Sequence, residues 1–231
     1  MKQSLLGIKS IEGGYPDIPV LNNLISCWEL DETSGTTVVD AHGTNNGTNS
    51  GATIGATGKI DKAYSFDGVN DRVFIADNTS LDLTEAITIS QWVKFSTNDS
   101  VIFAKRDTTN YAWDMNISDV GSVYFGINSN VNRADTVPFA VTLGQWYHIV
   151  GTYDRSFIKI YIDGVEQGSY AYTGAITNNN IDVTIGYRPY SGAEGYTSGI
   201  IDQSAIWNVA LTQEQITALY NSGNGLRYSE W

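Results

Sequence analysis

The stretch Trp146-Tyr147-His148-Ile149-Val150-Gly151-Thr152-Tyr153, followed by Phe157-Ile158-Lys159-Ile160-Tyr161-Ile162-Asp163-Gly164-Val165, decides the fold class. Ile158, Ile160 and Ile162 fall on one side of an extended chain and Lys159 and Tyr161 on the other, because successive side chains of a strand alternate. Asp163-Gly164 between two such runs predicts a two-residue hairpin, a turn in which both residues take positive φ. Similar runs recur at 24–30, 63–66, 72–75, 86–95, 101–105, 111–117, 122–127, 183–187 and 200–207. In 86–95, Ile87, Ile89, Val93 and Phe95 share one face and Trp92 takes the other. Residues 40–58 are rich in Gly, Asn and Thr and read as turns, too polar for a strand. One helix is marked: Thr212 and Gln215 form a capping box, Ile216, Leu219 and Tyr220 give an apolar stripe, and Gly223 stops it. It is too short to form alone and must dock on the strands. Short strands with frequent turns and one late helix predict an all-β sandwich.

The 231 residues suffice to bury a core without disulfides or metals, and all-β domains often reach this length as one unit. Cys27, the single cysteine, sits beside Trp28 in an apolar run and reads as a small buried hydrophobe. A net charge of −12 argues against a nucleic-acid backbone or an anionic membrane as partner. No window approaches the roughly 18 apolar residues of a membrane span. The apolar run at Leu5-Leu6 is too short for a signal-peptide core, which predicts a protein made and kept in the cytosol unless another route releases it.

Residues 1–23 read as an arm ahead of a domain spanning 24–231. The arm carries Gly13-Gly14, Pro16 and Pro19, which favour turns and extended chain. It also holds Leu5, Leu6, Ile8, Ile11, Tyr15, Ile18, Val20 and Leu21, more apolar matter than a solvated linker carries. That composition suits an extended segment that anchors the domain to other subunits of a larger assembly.

Several segments resemble LamG-like domains of the laminin-G/pentraxin, concanavalin A-like type. They are Trp28-Glu29-Leu30-Asp31-Glu32-Thr33-Ser34-Gly35, Val39-Asp40-Ala41-His42-Gly43-Thr44-Asn45-Asn46-Gly47-Thr48 and Gly58-Lys59-Ile60-Asp61-Lys62-Ala63-Tyr64-Ser65-Phe66-Asp67-Gly68. Ile87-Thr88-Ile89-Ser90-Gln91-Trp92-Val93, the 146–154 run, the 159–164 hairpin and Gly199-Ile200-Ile201-Asp202 continue the match in order, to about Gly223. The resemblance implies a two-sheet antiparallel jelly-roll β-sandwich with one short C-terminal helix. It leaves function open, because this fold hosts lectins, adhesion domains and glycosidases. The family's usual carboxylate after the closing-strand Asp is Gln203 here.

A glycosidase needs two carboxylates flanking one bond. Glucanases of the concanavalin-like fold carry Glu-x-Asp-x-Glu on one strand. Glu29-Leu30-Asp31 begins that pattern, but Thr33 and Ser34 stand where its last Glu belongs, so the chain reads as a non-enzyme. His148 alternates within an apolar strand and reads as a satisfied core or edge histidine; His42 has no neighbouring Cys or His for zinc. Calcium takes carboxylate, amide and carbonyl oxygens. Asp40, Asn45 and Asn46 offer such a set, and the resemblance adds Asp202 from the closing strand. The competing role for Asp40 and Asn46 is to cap turns through backbone amides. For a glycan or cell-surface polymer, aromatic faces in loops are the candidates: Tyr187, Tyr190, Tyr196, Tyr111 and Trp113. The expectation is a non-enzymatic recognition or adhesion module. A bacteriophage virion surface component, assembled in the host cytoplasm, reconciles this with the lack of an export signal, and a purely structural virion subunit is the alternative.

Overall fold

The computed structural model describes residues 20–190 and 193–231, the side chains of residues 190, 193 and 194 excepted. In chain order the strands begin with β1 (Leu24–Trp28), β2 (Thr37–Val38), β3 (Gly47–Ser50), β4 (Thr53–Thr57), β5 (Lys62–Asp67) and β6 (Arg72–Ile75). Then come β7 (Ile87–Phe95), β8 (Ser100–Arg106), β9 (Tyr111–Ile117), β10 (Val123–Ile127), β11 (Arg133–Asp135) and β12 (Trp146–Tyr153). The last are β13 (Phe157–Ile162), β14 (Val165–Ala171), β15 (Val183–Ile185), β16 (Tyr187–Tyr190), β17 (Ala193–Tyr196) and β18 (Ser198–Trp207), with helix α1 at Gln213–Tyr220.

Two antiparallel sheets face each other. The back sheet runs β14-β13-β12-β7-β18-β5-β4, with β1 also paired to β18. The front sheet runs β11-β10-β9-β8-β15-β6-β3-β2, and β16 and β17 form a separate hairpin. This is the predicted jelly-roll sandwich. Ile87, Ile89, Val93, Phe95, Ile158 and Ile160 from the back sheet meet Val73, Phe103, Trp113, Met115, Phe125 and Ile185 from the front sheet in one core. The turn after β13 has φ +52° at Asp163 and +78° at Gly164, as the hairpin signal requires.

A second apolar cluster lies on the outer face of the back sheet, where Cys27, Val150, Tyr161 and Trp207 pack under Leu211, Ile216 and Leu219. Thr212 and Gln215 make both bonds of the capping box, and Asn221 closes α1 in a left-handed conformation. Val20 joins this cluster and its carbonyl accepts the Trp207 indole N–H at 2.5 Å. The last residues of the expected arm are therefore part of the sandwich; residues 1–19 lie outside the described ones.

One expectation is corrected. Residues 47–50 and 53–57, read as too polar for strands, form β3 and β4. β4 is the edge of its sheet and β3 lies next to the edge, pairing with β5 and β6 respectively. Near an edge, ladder hydrogen bonds from an apolar neighbour hold a polar sequence extended, and polar edges deter unwanted pairing.

Candidate functional site

On the front sheet, Val73 and Ile75, Trp113 and Met115, and Val123 and Phe125 turn inward. Alternation sends the residues between them to the outer face. Cross-strand pairing aligns Thr48, Phe74, Thr184, Ala104, Asp114, Gly126 and Arg133 in one row over β3, β6, β15, β8, β9, β10 and β11. The middle of the row is small. At Gly126 a Cβ would come within 2.5 Å of the Tyr111 hydroxyl, so only glycine leaves that ring its place.

The β16–β17 hairpin lies on this face. Gly186 N–H donates to the Ile102 carbonyl, the Thr197 hydroxyl to the Val101 carbonyl, and Thr184 Oγ1 to the Tyr187 carbonyl at 2.6 Å. Arg188 reaches down to Asp114 at 3.0 Å and to the Tyr124 hydroxyl at 3.2 Å. Asp114 is fully buried and also receives Arg106 at 3.1 Å and the Tyr111 hydroxyl. Arg106 lies 4.1 Å from the centre of the Tyr111 ring, and Arg133 4.4 Å from that of Tyr124. Burial, reinforced by the Asp114 charge, pushes both Tyr111 and Tyr124 above the usual phenol range. For Arg188 burial works against the charge, but Asp114 and the Tyr124 hydroxyl together outweigh it and the guanidinium is raised further.

At the base of the hairpin an open pocket of about 260 Å³ is lined by Phe74, Arg106, Asn180, Asp182, Thr184 and Tyr187, among others. Arg72 stacks beside it, 4.7 Å from the Phe74 ring centre and 5.1 Å from that of Tyr187. Its Nη1 donates to the Tyr196 hydroxyl at 3.0 Å, and the Tyr187 and Tyr196 rings pack 4.9 Å apart.

Of the aromatic residues expected at a ligand site, Tyr187, Tyr196 and Tyr111 come together on this outer face. Trp113 does not: it is a core residue, 1% exposed and set edge-on to Phe103. A bulge between Lys105 and Arg106, opposite Ala112, shifts the alternation and separates it from Tyr111. The Tyr190 side chain lies outside the described residues. Arg72, Phe74, Arg106, Asp114, Tyr124 and Arg188 were missed by the sequence reading. Charged residues at Arg106 and Asp114 inside otherwise apolar strands were the available signal.

The residues expected to hold calcium are placed differently. Asp40 Oδ1 accepts the backbone N–H groups of Cys27, His42 and Gly43, and Oδ2 that of Asn45, at 2.9–3.1 Å. Asn46 Oδ1 accepts the Asp40 N–H, while Asn45 Nδ2 donates to Ser26 and Ser80. Amide hydrogens thus occupy the lone pairs a cation would need. Asp202 faces another loop and accepts the Ile60 N–H at 2.8 Å. Asp40 and Asp202 thus turn to different loops, and among the described residues no three His, Cys, Asp or Glu side chains gather to hold a metal. Glu29 and Asp31 are raised, first by burial, and each accepts a backbone N–H, from Tyr228 and Lys62. His148 is buried with Nε2 paired to Ser90 at 2.8 Å, but its Nδ1 is enclosed without a hydrogen-bond partner among the described residues, so the expected satisfied histidine is found only in part.

Residues 66–217 match the Laminin_G_3 family, described as the concanavalin A-like lectin/glucanases superfamily. The chain belongs to this superfamily. Its fold is similar to domain 4 of AbnA, a GH43 extracellular arabinanase from Geobacillus stearothermophilus, in complex with arabinotriose. That match has a TM-score of 0.66 and 23% identity, over 85% of this chain and 97% of the other. The binding domain of Paraclostridial Mosquitocidal Protein 1 matches with TM-score 0.67 and 19% identity, over 87% and 52%. A mutant Trypanosoma rangeli sialidase displaying trans-sialidase activity matches with TM-score 0.70 and 14% identity. There the match covers 90% of this chain but only 34% of the sialidase. At these identities the likeness is one of fold. No curated protein matches the chain by sequence. Among the described residues no helix is long and apolar enough to cross a membrane.

Proposed function

We propose that this protein is a non-catalytic sugar-binding module whose ligand lies on the outer face of the front sheet. The observation that carries this is the pocket between Phe74 and Tyr187, with Arg106, Asn180 and Asp182 around it and Thr184 in its lining. Aromatic rings beside a few converging polar groups suit the C–H edges and hydroxyls of a sugar. Asp182 is the single carboxylate of that lining among the described residues, whereas glycoside hydrolysis needs two. The arabinotriose complex of a domain with the same fold supports the reading by analogy of architecture. A virion role draws no support from the relatives above. The test is a glycan array probed with the full chain, followed by Phe74→Ala and Tyr187→Ala. Each variant should keep the fold and lower affinity for the best glycan about tenfold or more. Absence of any bound glycan, or unchanged binding in both variants, would overturn the proposal.

A further inference from the structure

The chain carries a net charge of −12, yet four of its six arginines, Arg72, Arg106, Arg133 and Arg188, stand on the outer face of the front sheet. Three of them are answered by carboxylates. Arg106 and Arg188 share Asp114, and Arg133 pairs with Asp135 at 3.0 Å. Arg72 is different. It makes no ion pair among the described residues. Asp71, its neighbour in sequence, turns to the Asp67 backbone N–H instead.

Arg72 is half-buried, and its Nε is shut off from solvent without an acceptor. Its one hydrogen bond among the described residues goes to the neutral Tyr196 hydroxyl. Removing a guanidinium from water without a counter-charge is unfavourable, and ring faces offset only part of that cost. The two rings that hold Arg72, Phe74 and Tyr187, are also walls of the pocket. The guanidinium is therefore fixed in orientation against two walls of the pocket, without itself belonging to its lining, and meets no carboxylate among the described residues. With Nε enclosed and Nη1 on Tyr196, Nη2 is left to meet a ligand, and a guanidinium N–H is a strong donor to a carboxylate or a sulfate. Asp182, on the pocket lining, accepts the Asp77 N–H and bears a charge an anion would avoid, so the anionic group belongs on the Arg72 side and hydroxyls belong toward Asp182 and Asn180.

We infer that the sugar bound at this face is anionic, carrying a carboxylate or a sulfate, and that Arg72 is the residue that meets the charge. This rests on the sugar-binding reading above and narrows it to a class of ligand.

The experiment titrates the full chain by calorimetry with matched probes: lactose, sialyllactose, sulfolactose, trigalacturonate and its methyl ester. At least one charged probe should bind about tenfold or more tighter than its neutral counterpart, and Arg72→Gln should erase that preference. The sialylated, uronate and sulfated arms identify which anion is preferred. Equal binding of charged and neutral members overturns the inference while sugar binding stands. Binding of none of the probes, together with a blank glycan array, overturns both. A charge preference that survives in a folded Arg72→Gln variant removes Arg72 from the role. Should that variant lose the wild-type melting temperature, salt decides with the wild type. Affinity for the charged probe must fall between low and high salt while that for the neutral probe stays level, and a flat response overturns the inference.

Discussion

Replacing Asp202 by Asn should flatten the pH dependence of stability above pH 6.5. Asp202 lies on the outer face of the back sheet next to Trp92, is fully buried, and is pushed up to about 8. Burial is the main cause. The backbone amides of Ile60, Lys59 and Gln203 oppose it, and the nearby Asp31 charge adds to it. His148, on the other side of Trp92, is pushed down to about 3 by burial between Ser90 and the Trp92 and Tyr220 rings. The two act in opposite directions. Between the ordinary aspartate value of 3.8 and about 8, folded Asp202 holds a proton that the unfolded chain has released, so stability falls as pH rises. Between about 3 and the ordinary histidine value of 6.5, the unfolded chain holds the proton, so stability rises with pH. From 3.8 to 6.5 they cancel. From 6.5 to about 8 Asp202 acts without that opposition, at about 1.4 kcal/mol per pH unit, which removes about 2 kcal/mol across the window. For a domain of this size that lowers the melting temperature by about 4–8 °C. Glu29, Asp31, Asp71 and Asp163 are raised as well and pull in the same direction, and the variant separates the share of Asp202 from theirs. Asparagine keeps an oxygen for the Ile60 N–H and cannot ionise. The assay is urea unfolding at closely spaced pH values for both proteins. An equal fall in the variant between pH 6.5 and 8, or a flat wild-type curve there, refutes the reasoning.

Two further outcomes follow from buried carboxylates. Asp114→Ala leaves Arg106 and Arg188 without the anion they share and should cost about 3–5 kcal/mol, read as a lower urea midpoint at unchanged slope. A cost below about 1 kcal/mol would show that the cluster is not what holds the hairpin on the sheet. Asp40→Ala removes the acceptor of four backbone amides and should cost about 1–3 kcal/mol, whereas EDTA should leave the wild-type melting temperature unchanged. A chelator effect present in the wild type and absent from the variant would restore a cation at that turn.

The fold was legible where period and turn chemistry agreed. Around Asp163-Gly164 the alternation of Ile158, Ile160 and Ile162 and the demand for positive φ name the same hairpin. At β3 and β4 they did not agree, since Gly47-Thr48-Asn49-Ser50 has neither apolar alternation nor strand-forming side chains. Its extended form comes from β6, a neighbour distant in sequence. Trp113 was misplaced for another reason. Read with Tyr111 it resembles an exposed aromatic pair, but read with Met115 and Ile117 it belongs to a core face. The bulge at Ala112 that divides these readings leaves no mark in composition.

The site was harder to read because one strand carries both fold and site. In β9, Trp113, Met115 and Ile117 fill the core while Asp114 and Asn116 take the other face. An antiparallel sheet with one wet face would leave those two in solvent. Here they are 0% and 1% exposed, and the β16–β17 hairpin, more than seventy residues later in the chain, reaches Asp114 through Arg188. Once buried, Asp114 needs cations, and it takes one from its own sheet, Arg106, and one from the hairpin, Arg188. The ion cluster is thus the joint between sheet and hairpin, and the pocket opens at the base of that joint, where Tyr187 leaves the sheet. Arg72 stands at the same place but outside the joint, stacked on rings and unanswered by a carboxylate among the described residues. On the proposed reading, structural and ligand-directed charges are separable on one face. Loss of Asp114 should appear in stability first, and loss of Arg72 in the discrimination between charged and neutral sugars.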